Sequence, residues 1–185
     1  MAKLVSKIYG DALFDLCLEQ QNLDAVTEEV KAVQAALQEN PELMQFFMNP
    51  DICKSEKIDF VERVFKGRVS DDLVGFLRII VTKERSNEMG RILEYFIDRV
   101  KAHNKIGVAY VTTPTELSDE WKIRIEKRLL ETTKYVKMET SYGVDPTLIG
   151  GMVIRIGDTV VDSSIRTKLA GLSHKLMNTS LENKN

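Results

Sequence analysis

The first hundred residues carry apolar side chains at intervals of three and four, the spacing that places them on one face of an α-helix. Six such segments follow one another, separated by short polar, glycine or proline breaks. The clearest one has apolar residues at i, i+3, i+4, i+7, i+8 and i+11, namely Met89, Ile92, Leu93, Phe96, Ile97 and Val100. The pattern predicts a bundle of six amphipathic helices.

Residues typical of helix starts precede three of these segments. Asn40 stands before Pro41, which suits the first position of a third helix. Ser55 precedes the fourth helix, and Ser70 precedes two aspartates that complement the positive end of a fifth. We therefore expect the Ser70 hydroxyl to cap the fifth helix.

From Ile106 the period changes from helical to strand-like. Residues 106–113 are rich in β-branched and aromatic side chains, Ser118 opens a helix that runs through Leu130, and residues 136–142 alternate between apolar and polar. The pair Gly157-Asp158 separates two short apolar runs and suits a tight hairpin, after which two serines precede a helical pattern. The predicted order is strand, helix, strand, hairpin, helix.

Composition limits the classes of function. The 185 residues are 43% hydrophobic and 29% charged with a formal net charge of -2, so the chain lacks the basic footprint of nucleic-acid binding. No apolar run approaches the roughly 20 residues that span a bilayer, and the first residues lack the apolar segment of a secretory signal. We expect the chain in the cytosol or on a cytosolic membrane face.

Three features invite a chemical interpretation, but a structural role is favoured for each. Gly150-Gly151 lacks the Lys-Ser/Thr of a phosphate loop, which favours close backbone packing at a turn. Asp162 has its nearest histidine on a following helix, which favours an Asx turn or helix cap. Arg155 alternates with apolar neighbours, so we expect a surface charge, with contact to an acidic partner helix as the alternative.

The cysteines and histidines predict no metal centre. Cys17 and Cys53 have neither CxxC nor Cys/His spacing, and both lie in apolar helical patterns, so we expect buried structural thiols. His103 and His174 have no neighbouring ligands at metal-like spacing. The sequence thus predicts no catalytic residue, cofactor or metal.

The first and fifth helices carry more apolar residues than one buried face requires. This surplus fits either a central core or a groove that accepts an amphipathic helix from another chain, and the sequence leaves both open. The candidate groove residues are Ile8, Tyr9, Ala12, Phe76, Leu77, Ile80 and Val81.

The stretch from Asp145 to Leu169 resembles the C-terminal signature of the delta subunit of F-type ATP synthases, a relative of the mitochondrial oligomycin-sensitivity-conferring subunit. Residues 5–14 look like the opening helix of that family, although Lys7 and Gly10 stand where arginine and alanine are usual. Residues 76–85 match the family's fifth-helix region less specifically. The resemblance covers both halves of the chain.

The resemblance implies a mainly α fold, with an N-terminal six-helix bundle followed by a smaller α/β domain with a β-hairpin. It implies domains at residues 1–104 and 105–178 and a flexible tail at 179–185. The implied protein is a non-catalytic stator subunit on the cytoplasmic face of the cell membrane. Its bundle would grip the N-terminal helix of an alpha subunit, and its second domain would join the stalk-forming b subunits. Candidate stalk contacts are Arg155, Asp162 and Arg166.

Two other classes of function compete with this one. A helical adaptor with a peptide- or RNA-binding α/β module would share the bundle, but Tyr110, Trp121, Tyr135 and Tyr142 do not lie in a basic stripe. An independent enzyme ranks third, because no catalytic set converges.

Overall fold

The computed structural model describes the backbone of residues 2–169 and the side chains of residues 4–169. The chain divides into two compact units, Met1–His103 and Asn104–Asn185. The second unit begins two residues before Ile106, where the hydrophobic period changes.

In the described part of the first unit, six α-helices follow one another, as the apolar spacing predicted. They are α1 (Ala2–Glu19), α2 (Leu23–Glu39), α3 (Pro41–Met48), α4 (Lys54–Phe65), α5 (Asp71–Thr82) and α6 (Met89–His103). A short 3-10 turn, Ser86–Glu88, leads into α6. Both α1 and α2 pack on α6, and α4 packs on α5. None of the described helices is long and apolar enough to cross a membrane.

Every helix of the first unit contributes to one apolar core. Phe96 of α6, Leu13 of α1 and Leu77 of α5 are among its fully buried members. At one end, the ring of Phe60 lies 4.6 Å from that of Phe46 and 5.8 Å from that of Phe47, which joins α4 to α3. The bundle is therefore held by a single interior.

Helices α3 and α5 begin at the predicted residues, but the side chains expected to cap them bond to other groups, and α4 begins before Ser55. The Asn40 side-chain amide donates to the Ala36 carbonyl at 2.9 Å and so closes the end of α2 instead of capping α3. Ser70 makes no side-chain bond to α5 and donates its hydroxyl to Glu29 of α2 at 2.6 Å. Helix α4 begins at Lys54 after Cys53, so Ser55 lies inside it.

The second unit has the predicted order of elements. It contains β1 (Ile106–Thr113), α7 (Asp119–Thr132), β2 (Lys137–Val144), β3 (Val153–Ile156) and β4 (Thr159–Asp162), and a helix follows at 165–169. The sheet order is β2-β1-β3-β4. Strands β1 and β2 are parallel, as expected where a helix connects them, and the other pairs are antiparallel. The predicted helix beyond residue 169 and the tail at 179–185 lie outside the described residues.

Among the described residues, α7 covers one face of this sheet, and the other, the open face, presents exposed side chains such as Tyr110 and Arg155. Ala109 and Val111 of β1 point to the covered face and form a small core with Ile125 and Leu129 of α7 and Met138 of β2. The intervening position, Tyr110, is 55% exposed. This alternation matches a strand with one buried face.

Candidate functional site

The groove candidates on α1 lie at or near the surface. Ile8 is 58% exposed, Leu4 one turn earlier is 63% exposed, and Ala12 one turn later is exposed. Tyr9 is half-buried against the core. Because Leu4, Ile8 and Ala12 are four residues apart, they form a continuous apolar row, the α1 stripe.

The groove candidates on α5 lie in the core. Phe76, Leu77, Ile80 and Val81 are 8%, 0%, 0% and 2% exposed. These four side chains pack inside the bundle. They can support a binding surface from beneath, but they do not line one. Of the two origins that the sequence left open for the apolar surplus, the core accounts for these four.

A different set of residues forms the outward face of α5. Ile79 is 52% exposed, and Gly75, Ile79 and Thr82 share one side of the helix. They line a shallow cavity of about 320 Å³ with Arg78 and Lys83. We call Gly75, Ile79 and Thr82 the α5 stripe. The sequence contains one indication of this stripe. Ile79 is apolar, but it does not lie on the helix face formed by the four core positions.

Helix α1 is fixed on α6 by a close contact at Gly10. A Cβ added to Gly10 would collide with the ring of Tyr95 on α6. The Tyr95 hydroxyl donates to Asp11 at 3.1 Å, and Arg99 pairs with the same carboxylate at 3.4 Å. A residue larger than glycine at position 10 would therefore require the Tyr95 ring to move.

The end of α1 lies near the start of α5. Burial raises the pKa of the Cys17 thiol to about 11, and the carboxylates of Asp72 on α5 and Glu29 on α2 add to the effect. Glu29 in turn accepts both the Ser70 N–H at 2.9 Å and the Ser70 hydroxyl. The two hydrogen bonds from Ser70 tie the start of α5 to α2.

Cys17 is a buried structural thiol, as expected, but Cys53 is not. Cys53 is exposed at the start of α4, with its sulfur 3.0 Å from the Ser55 hydroxyl. The apolar pattern around it belongs to the flanking helices, and Cys53 itself lies in the connection between them. Within the described residues, no group of three or more His, Cys, Asp or Glu side chains could hold a metal ion.

The three stalk candidates in the second unit have different surroundings. Arg155 is exposed and lies between Tyr110 and Val160 in the open face of the sheet. Asp162 accepts the Ser164 N–H at 2.8 Å and the Thr167 hydroxyl at 2.7 Å. Arg166 donates to the Thr147 hydroxyl at 3.3 Å.

Asp162 therefore has the structural role that the sequence favoured. The Thr167 hydroxyl and the Ser164 N–H hold the pKa of Asp162 below its usual range. Ser164 completes the cap, because its hydroxyl accepts the Thr167 N–H at 3.2 Å. These bonds fix the start of the helix at 165–169.

The glycine pair before β3 packs closely against this helix start. A Cβ on Gly150 would lie 2.6 Å from the Ile165 side chain, and one on Gly151 would meet the Ser163 carbonyl. Gly151 also has φ +81°, which only glycine adopts readily. The predicted packing turn is confirmed.

Comparison with known proteins identifies the family. The family described as "ATP synthase delta (OSCP) subunit" matches residues 5–176. The chain belongs to this family. It is 54% identical over 181 residues to the ATP synthase subunit delta of Lachnoclostridium phytofermentans, covering 98% of this chain and 100% of that protein.

A more distant relative and a solved structure agree with this. The chain is 34% identical over 174 residues to the ATP synthase subunit delta of Desulforamulus reducens, covering 94% of this chain and 95% of that protein. Its fold is similar to that of a chain in the mitochondrial ATP synthase hexamer of Toxoplasma gondii. The TM-score is 0.74 at 19% identity, covering 93% of this chain and 97% of that chain. The mainly helical fold with a small C-terminal α/β unit is thereby confirmed.

Proposed function

We propose that this chain is the peripheral-stalk subunit that links the catalytic head of an F-type ATP synthase to its membrane-anchored b subunits. The observation that carries the proposal is the family match, which spans both units of the chain. In such an enzyme, torque from proton flow is useful only if the head is held still. A protein for that task needs two binding surfaces and no active site.

The first unit is the part that binds the head. The α1 stripe exposes Leu4 and Ile8 and the α5 stripe exposes Ile79, and the core of the unit uses none of these side chains. An amphipathic helix, such as the N-terminal helix of an alpha subunit, can bury its apolar face against exposed apolar residues of this kind. We therefore assign direct contact with the partner helix to five residues, namely Leu4, Ile8, Ala12, Gly75 and Ile79. The remaining candidates support this surface from the core, namely Tyr9, Phe76, Leu77, Ile80 and Val81.

The second unit is the part that joins the b subunits. Arg155 is the candidate best suited to direct contact, because it is exposed on the open sheet face. Among the described residues, its side chain bonds only to the nearby Gly157 carbonyl, at 3.2 Å. Asp162 and Arg166 mainly stabilise the local backbone. Asp162 does so at the start of the helix at 165–169, and Arg166 does so through its bond to Thr147. The chain reaches the cytoplasmic face of the membrane through these partners.

The family favours this function over an adaptor that binds peptide or RNA. We further propose that the chain has no catalytic activity of its own. Purified chain should therefore neither hydrolyse ATP nor bind it tightly.

The decisive test of the head contact is Ala12→Trp. Because Ala12 is exposed, the indole should leave the thermal midpoint of the chain almost unchanged, since surface substitutions shift stability by about 0.5 kcal/mol or less. It should block the incoming helix, so that affinity for the catalytic head falls and proton flow is uncoupled from ATP synthesis.

Ala35→Trp is the matched control, because Ala35 is also an exposed helical alanine but lies on α2. It should retain normal affinity for the head. If Ala12→Trp binds the head normally, or if both variants lose binding equally, the assignment of the α1 stripe is wrong.

A further inference from the structure

Three polar side chains join α1 to α6 near the surface of the bundle. The Asp11 carboxylate accepts the Tyr95 hydroxyl at 3.1 Å, and the Arg99 guanidinium lies 3.4 Å from the same carboxylate oxygen. Arg99 also lies 5.2 Å from the centre of the Phe14 ring, one turn further along α1. We call Asp11, Tyr95 and Arg99 the α1–α6 polar cluster. Through Arg99, it contacts α1 at two successive turns.

The polar cluster lies beside the α1 stripe on the same helix. Each residue turns an α-helix by about 100°, so Asp11 lies about 60° from Ile8 and about 100° from Ala12 around the helix axis. Buried Leu13 lies on the opposite side of α1. A rotation of α1 that moved the Asp11 carboxylate away from α6 would therefore turn the stripe by the same angle.

The other contacts of α1 restrict its rotation less than the polar cluster does. Leu13 and Phe14 are buried in the core, but the hydrophobic effect that favours their burial is not directional. Gly10 has no side chain, so its contact with the Tyr95 ring mainly limits the distance between the two helices. A hydrogen bond, in contrast, weakens steeply when its distance or angle departs from the optimum. The polar cluster therefore favours one rotation of α1.

The polar cluster matters more for orientation than for folding. The Asp11 side chain is 33% exposed and that of Arg99 is 51% exposed, and an ion pair at such a position adds little to the free energy of unfolding. The apolar core, to which every helix of the unit contributes, holds the bundle without it. Binding is more sensitive, because the apparent affinity falls in proportion to the fraction of molecules in the binding-competent arrangement.

We propose that Asp11 is a positioning residue for the head contact: with Tyr95 and Arg99 it holds α1 at the rotation that presents Leu4, Ile8 and Ala12 to the partner helix. Asp11 itself does not need to touch the partner. The inference rests on the proposed function for the identity of the site, and it adds the group that keeps this site in its binding-competent arrangement.

The test measures the affinity of the full chain for purified catalytic head that lacks this chain, together with the thermal midpoint of each variant. Asp11→Ala and Arg99→Ala should each lower the affinity by about fivefold or more, because either change removes the charge pair that favours the binding-competent rotation. Their midpoints should change no more than that of the control. The matched control is Glu28→Ala, which removes the carboxylate of an exposed ion pair with Lys31 on α2 and should bind the head normally.

The double variant Asp11→Arg/Arg99→Asp separates positioning from direct contact with the partner. It restores the ion pair with the charges exchanged, and the Tyr95 hydroxyl can accept a hydrogen bond from the new guanidinium. The double variant should therefore recover most of the affinity that Asp11→Ala loses. If Asp11 instead bound a basic group of the partner, an arginine at position 11 would repel that group and the affinity would stay low.

Three results would overturn the inference. They are normal affinity of Asp11→Ala or of Arg99→Ala, a double variant that does not recover affinity, and a midpoint of either single variant far below that of Glu28→Ala, which would mean that the cluster supports the fold itself. Ala12→Trp, measured in parallel, tests the proposed function separately. If it loses binding while Asp11→Ala does not, the inference fails and the head contact stands. If Ala12→Trp binds normally, the head contact on α1 fails as well.

Discussion

At the scale of single residues, Gly10 decides how closely α1 approaches α6. Judged from the sequence alone, Gly10→Ala should stabilise the helix by roughly 0.5–1 kcal/mol. The Tyr95 ring occupies the place of the new methyl group, so we predict net destabilisation of about 1–2 kcal/mol from overpacking. Denaturant unfolding of the two proteins measures the difference.

Two further variants separate the steric effect from the propensity effect. Gly75→Ala lies in the middle of α5 with no heavy atom within 4 Å of the new Cβ, and it should be stabilising. In a Tyr95→Ala background, Gly10→Ala should become favourable. If Gly10→Ala stabilises the otherwise unchanged chain, the ring does not restrict this position.

At the scale of elements, the start of α5 is tied to α2 through Ser70 and Glu29. An aspartate caps a helix about as well as a serine does, so Ser70→Asp would be neutral if Ser70 capped its own helix. Because the hydroxyl donates to the Glu29 carboxylate, we predict instead that Ser70→Asp destabilises the bundle by about 1–3 kcal/mol. Thermal unfolding at neutral pH measures the effect.

The double variant Ser70→Asp/Glu29→Gln is the control for this prediction. A glutamine amide can donate to the new carboxylate, so stability should return towards that of the parent chain. A neutral Ser70→Asp would instead mean that the helix end does not depend on α2.

At the scale of the whole molecule, each unit has an apolar core of its own. We predict that a fragment of residues 1–104 folds alone as an α-helical bundle and binds a peptide from the alpha-subunit N-terminus. Circular dichroism should show a cooperative thermal transition, and titration should show saturable binding that Ala12→Trp removes. A disordered fragment, or a folded one that ignores the peptide, would contradict the prediction.

The elements and their order follow from patterns that are visible along the chain. Apolar spacing is a local property, and a helix or strand needs only its own residues to display it, so the six helices, the hairpin at Gly157 and the cap at Ser164 were all predictable. Close packing at Gly150 was also expected, because the phosphate-loop residues are missing, but the fold alone supplies the neighbour, Ile165.

Only the tertiary structure decided which apolar residues are core and which are surface. Leu77 and Ile79 are equally apolar in the sequence, yet they are 0% and 52% exposed because the direction from which neighbouring helices approach α5 is not a local property. The same reason applies to polar partners. Ser70 has all the features of a helix cap, but Glu29, 41 positions away, takes its hydroxyl, and the fold alone brings the two residues together.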